Sequence, residues 1–211
     1  MRSHPPRFLR HAAGIARAGL AWFVLVAVAV QGARPEYDWW QAPLSFYLSG
    51  PNSLWLRTAY DGLAVAAVLL GVGLWRGLAP SARYVLAPAL FVAGGVSLAV
   101  TATWPGASPD HAVGDFDAVV HGLSAIASFL FAGVAMLLQS ASLHRDPHWR
   151  TIAPLLLALA ALAFAALWLH ALWRELPRGG SQKIVIALYL CWLFLAGWHL
   201  RRTPAALDSG A

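Results

Sequence analysis

Six stretches of mostly apolar residues, separated by short polar breaks, dominate this chain of 211 residues. A helix needs about 20 such residues to cross about 30 Å of hydrocarbon, where only helices and closed barrels satisfy their backbone. The stretches run from Gly14 to Ala33, Leu54 to Leu78, Tyr84 to Trp104, Asp117 to Leu143, Thr151 to Trp173 and Gln182 to Leu200. No length is left over for a soluble domain. The expected fold is therefore all-α: a polytopic membrane protein, residues 1–211 forming a single bundle of six transmembrane helices. Composition agrees, since 59% of residues are hydrophobic and only 11% charged, against about 25% charged in soluble domains.

A net charge of +6 raises the question of a nucleic-acid partner. The basic residues form no stripe; they stand in ones and twos between apolar runs, as topology signals do. No nucleic acid is expected. Arg2, Arg7, Arg10, Arg17, Arg76, Arg83, Arg145, Arg150, Arg201 and Arg202 fall on one side, and Arg34, Arg57, Arg174, Arg178 and Lys183 on the other. The positive-inside rule then places both termini in the cytoplasm, in a cell's inner (cytoplasmic) membrane. His4, His11, His144, His148 and His199 share the basic side and read as head-group contacts. The first span resembles a signal peptide, but it is longer than a usual apolar core of about 7–15 residues, so an uncleaved helix is expected. Cys191 stands alone and reads as a small buried hydrophobe.

Close packing between helices in lipid depends on small residues. Gly94 and Gly95 on the third span, and Ala158, Ala161 and Ala165 on the fifth, are the expected contacts. Trp39, Trp40, Trp55, Trp104 and Trp173 read as one interfacial belt, and Trp75, Trp149 and Trp198 as the other.

Ionisable side chains within spans are costly and mark candidate sites. Three pairs are spaced i,i+4, on one helix face each: Arg57 with Asp61, Asp117 with His121, and His170 with Arg174. All lie toward the outer ends of their helices. Facing one another, Asp61, Asp117, His121 and His170 would form an outer-leaflet pocket with catalytic capacity, His121 as base and the carboxylates as its orienters. His121, His170 and Asp61 could also hold a divalent metal such as zinc, and the two histidines could bind haem b axially. Arg57 and Arg174 would hold an anionic group of the substrate. The alternative is that the pairs only satisfy one another structurally, Arg57 and Asp61 neutralising each other. Asp110, His111 and Asp115 read as solvated loop residues.

The connection from Arg34 to Ser53 is too apolar for a free loop, which predicts a lid over the outer mouth. Ser45 and Tyr47 on it are candidate substrate contacts. No Gly-x-Ser-x-Gly elbow surrounds Ser45, so a nucleophilic serine has little support.

Three stretches, Pro43–Ala59, Gly114–Ala125 and Gly179–Leu200, resemble a family of bacterial and archaeal six-helix integral membrane proteins catalogued as domain of unknown function nine-nine-eight. The matching positions are Ser45, Gly50, Asp110, His121 and Gly180. The chain departs from that pattern at Trp104-Pro105 and at Gln182-Lys183. The family is distantly similar to eukaryotic six-helix proteins, some of them active in glycolipid-anchor remodelling, and this resemblance implies lipid chemistry by fold analogy alone.

The leading expectation is a protein that handles a lipid or amphipathic small molecule at the outer leaflet, with catalysis left open. Membrane lipids and that ligand are the expected partners, and oligomerisation stays open. The competing classes are a proton-coupled transporter or channel subunit, a haem protein, and a structural assembly partner. A transporter is disfavoured because the inner halves of the spans lack ionisable residues.

Overall fold

The computed structural model describes residues 7–202. Arg2 and His4, used in the topology argument, lie outside them. Six helices carry the chain: α1 (Arg7–Gly32), α2 (Ser53–Gly77), α3 (Leu86–Thr103), α4 (Asp115–Leu143), α5 (Ala153–Leu172) and α6 (Arg178–Leu200). All six are long and apolar enough to cross a membrane. No β-strand occurs among the described residues; one isolated backbone bridge joins Ser108 and His111. Two 3-10 turns, Leu44–Leu48 and Pro80–Ala82, sit in the connections. Neighbours in sequence pack together, and α6 closes the arrangement against α1 and α2. Leu44–Leu48 lies over one end, against α1, α2 and α6. That end is called the lid end below.

Glycine lets backbones approach at two adjacent positions of α3. A Cβ on Gly94 would sit 3.2 Å from the Ala132 nitrogen of α4, and one on Gly95 would sit 2.7 Å from Val68 Cγ2 of α2. One residue step turns the helix by about 100°, so the pair serves two different neighbours. On α1, a Cβ at Gly19 would meet the Gly62 carbonyl oxygen at 2.5 Å.

Three packing expectations need correction. Ala158, Ala161 and Ala165 of α5 are exposed, and the buried stripe is Ala153, Leu156, Ala160, Ala163 and Leu167. That stripe has the same small-residue character, rotated to a different face. Trp149 is no interfacial anchor: it is fully buried, with its ring 4.6 Å from that of His199. Cys191 is exposed, on a groove between α1 and α6.

Candidate functional site beneath the lid

The segment 33–53 is tied down along its whole length. At its start Arg34 is only 3% exposed. Its guanidinium donates to Asp110 Oδ2 at 2.6 Å, to the Ser49 carbonyl at 3.2 Å, and to Glu36. Asp110 also accepts from Ser108 Oγ at 2.8 Å and from the Tyr37 hydroxyl. These donors, Tyr37 foremost, then Ser108 and Arg34, hold the Asp110 carboxyl down to about 2. Gly50 makes the approach possible: its φ is +74°, and a Cβ there would lie 2.9 Å from Arg34 Nη1. Both a positive φ and the missing side chain are needed. Asp110, read from sequence as solvated, is thus an anchor.

In the middle, the segment is held by the start of α6. Backbone N–H groups of Gly179 and Gly180 donate to the carbonyls of Gln41 and Trp40 at 2.9 and 2.7 Å. The first turn of any helix has free N–H groups, and here the segment's carbonyls satisfy two of them. Lys183 donates to the carbonyls of Trp39 and Ala42, and Gln182 Oε1 accepts from the Leu44 N–H at 2.7 Å. At the end of the 3-10 turn, Arg57 Nε and Nη2 donate to the Leu48 carbonyl at 3.1 and 3.0 Å. Several of these anchors, from Arg34, Lys183 and Arg57, donate to carbonyls that would otherwise lie unpaired, and Gln182 does the same service for the Leu44 N–H.

Under this segment lies a narrow cavity of about 110 Å³, walled by α2, α3, α4 and α6. It reaches from His121 to Ala132 on α4, about 16 Å at 1.5 Å per residue. Polar groups collect at the lid end: Ser45, Thr101, His121 and Gln182. Farther in, the walls are mostly apolar, with Leu63, Ala67, Ala132 and Leu193, and the hydroxyls of Ser128 and Tyr189 there donate to backbone carbonyls. His121 Nδ1 lies 2.8 Å from the Trp104 carbonyl oxygen, at the C-terminal end of α3. A carbonyl only accepts, so Nδ1 carries the proton, and in the neutral ring Nε2 keeps a lone pair. Among the described residues Nε2 has no hydrogen-bond partner, and the ring edge lies against Gly106, where a Cβ would come within 2.6 Å of His121 Cδ2. Beside it, Thr101 Oγ1 donates to Ser124 Oγ at 2.9 Å, and Ser124 to the His121 carbonyl at 3.1 Å.

Of the residues named from sequence, the structure brings Ser45 and His121 to this cavity. It does not bring Asp61, Asp117 or His170 there. Asp61 is exposed on α2, in line with Leu54, Thr58 and Val65, while Ala59 and Tyr60 turn inward. Asp117 is half-buried in the first turn of α4, where the helix dipole favours a carboxylate. His170 sits at the junction of α5 and α6. Its Nδ1 lies 2.7 Å from Ser181 Oγ, while Arg178 donates to its Nε2 at 3.3 Å and its carbonyl at 2.6 Å. Arg174 is exposed, so the expected His170–Arg174 pair is replaced by His170–Arg178. Arg57 likewise reaches Leu48 instead of Asp61; among the described residues only Arg34 makes ion pairs. Tyr47 is fully buried, its ring edge-on to Tyr37 at 5.2 Å, and it does not line the cavity.

The proposed metal set of His121, His170 and Asp61 is not assembled. Among the described residues no three of His, Cys, Asp and Glu come together as ligands. Both ring nitrogens of His170 are engaged, by Ser181 and Arg178, whereas His121 keeps Nε2 free among the described residues.

Sequence reading missed Arg34, Thr101, Ser124, Ser128 and Gln182. A signal was present for two of them: Ser124 and Ser128 follow His121 at i+3 and i+7, one face of an apolar helix. Arg34 looked like any interfacial cation.

The positions that carried the family resemblance fall into these same places. Ser45 and His121 line the cavity, Gly50 and Asp110 complete the Arg34 anchor, and Gly180 lets the Trp40 ring approach. No curated protein and no solved structure matches the chain. A family described as protein of unknown function (DUF998) matches residues 17–199, which extends from α1 to α6. With its six apolar helices and that match over most of its length, the chain belongs to this family of membrane proteins.

Proposed function

We propose that the protein binds a membrane lipid or another amphipathic small molecule in the cavity beneath the lid. The observation that carries this reading is the polarity gradient along a narrow cavity, from Ser45, Thr101, His121 and Gln182 at one end to a floor that is mostly apolar, where Ser128 and Tyr189 spend their hydroxyls on backbone. A dry cavity of about 150 Å³ takes a benzene ring. A slot of about 110 Å³ therefore suits one hydrocarbon chain, or its end, better than a whole lipid. The ligand's polar end meets His121 Nε2, which accepts a hydrogen bond or takes a proton as a general base. Ser45 is the second group able to touch the polar end. Arg57 and Arg174, spent or exposed, have no part in this reading.

The charge count along the chain supports a cell's inner membrane, cytoplasmic termini and a lid on the outer face. The ligand then enters from the outer leaflet.

The test is to purify the chain from membranes and identify by mass spectrometry what leaves with it. Ala125→Phe fills the slot without touching a hydrogen bond. The expected result is one amphipathic species retained by the wild type and lost from this variant, with unchanged melting. Identical lipid content in both would contradict the proposal.

A further inference from the structure

A second apolar feature lies on the outside of the bundle, along α1 and α6. Gly14, Ala18 and Ala21 of α1 face Cys191 and Phe194 of α6 across an open groove of about 820 Å³. Leu190 alone lines both this groove and the cavity beneath the lid. Small residues on one wall leave a trough that a straight chain can lie in, as lipid chains do against membrane helices. The trough alone would be only a packing surface.

Its charge makes it more than that. Arg17 and Arg201 line the groove at the end away from the lid. The Arg17 guanidinium lies 5.4 Å from the Trp198 ring centre and that of Arg202 lies 4.8 Å from the same ring. Three cations thus gather around one indole and the groove mouth. Among the described residues none of them pairs with a carboxylate. Like charges held together repel unless an anion sits between them. Arginine suits phosphate, because its planar fork offers paired donors and is less strongly hydrated than an ammonium.

A phosphate directly attached to an apolar chain has the order of groups that this groove presents. We infer that the groove between α1 and α6 binds an anionic phospholipid of the leaflet opposite the lid. Its phosphate sits between Arg17 and Arg201, and one acyl chain lies along Gly14, Ala18 and Ala21. This site is independent of the ligand proposed for the slot, and either stands if the other fails.

The experiment is native mass spectrometry of the full chain in neutral detergent, titrated with phosphatidylglycerol or with phosphatidylcholine. The wild type is expected to retain phosphatidylglycerol in preference, and excess inorganic phosphate should not displace it. The double variant R17Q/R201Q should lose about tenfold or more in affinity, since each arginine near an anionic lipid surface contributes about fivefold. Ala18→Phe keeps every charge and fills the trough, so it decides the matter should the double variant melt early. Equal retention of the two lipids by the wild type would overturn the inference. So would a phosphatidylglycerol preference that survives both variants, or binding seen only after residues 203–211 are removed, which would give the groove to that segment.

Discussion

The two ends of the bundle are held in opposite ways. At the lid end, polar side chains reach across to a non-helical segment: Arg34, Lys183, Gln182 and Arg57 each bond to backbone or carboxylate of another element. At the other end, aromatic and aliphatic groups interlock. Trp149 is fully buried beside His199, His148 stacks on His199 at 4.4 Å, and Leu200 packs against Gly73 and Gly77. Its polar contacts are fewer: Asp146 accepts from the N–H groups of Ala79 and His148 at 2.8 and 2.9 Å, Arg83 Nε donates to the Leu78 carbonyl at 2.9 Å, and His199 Nε2 lies 3.1 Å from the His148 carbonyl. One end is closed by reversible polar contacts over a cavity, the other by close packing. Packing fixes the bundle, and the polar contacts fix only what covers it.

That contrast can be broken most severely at the packed end. Trp149→Ala should destabilise the whole bundle by about 3–5 kcal/mol, the usual cost of emptying a buried tryptophan site. Unfolding in detergent followed by circular dichroism would show it. A loss confined to local exchange would mean that this end is not the stabilising one.

At the lid end the corresponding change is Arg34→Ala. It removes the donors to Asp110 and Ser49 while leaving helix packing intact. Amide exchange over residues 37–50 should speed up by about tenfold or more, as expected of local opening. The unfolding midpoint should move little. Loss of the global transition would contradict the division between the two ends.

Acid separates the ends more gently. Burial and the neighbouring His199 hold the His148 imidazole below its usual range. The fold therefore resists its proton, and that end loses stability as pH falls through about 6.5. Asp110 is held down to about 2, so its contribution is complete above about 4 and is lost only as pH falls from there. At pH 5 the melting temperature should be slightly lower than at pH 7, while the protection of lid amides, after allowance for the slower intrinsic exchange in acid, is unchanged. The reverse pattern would misassign both groups.

The smallest effect is expected at Asp61. It is exposed and without a hydrogen-bond partner among the described residues, so Asp61→Asn should change stability by no more than about 0.5 kcal/mol. Ligand retention should be unaffected. Loss of ligand in this variant would restore the pocket anticipated from sequence.

The fold was legible because its signals are long. Each apolar run is fixed by membrane thickness, and helix ends fall within a few residues of the expected ones except at α1 and α6, which begin earlier with Arg7 and Arg178. The docked segment was legible too, since Pro43–Leu48 is too apolar to be left in water. Within the site, His121 stood out by residue type and depth, and Ser45 by its place on the lid beside Tyr47, which does not line the cavity. The partners did not. Arg57 and His121 each have a carboxylate four residues away and His170 has Arg174, yet each bonds instead to another element, at Leu48, Trp104 or Ser181. Spacing gives the face on which two side chains meet, whereas helix ends and lid carbonyls lacking water compete for the same donors. That competition is decided by tertiary approach, which no local pattern contains. The fifth helix shows the same limit, because alanines stand on several of its faces and only packing selects Ala160 and Ala163.

The most direct test of the lid-end site is nitrogen-15 spectroscopy of His121. The expected result is a ring protonated at Nδ1 by virtue of the Trp104 carbonyl, with a bare Nε2 whose resonance shifts when the co-purifying lipid fraction is added. The shift should vanish in Ala125→Phe while the tautomer stays the same. A ring protonated at Nε2 instead, or an Nε2 resonance indifferent to that fraction in the wild type, would contradict a ligand site built on this histidine.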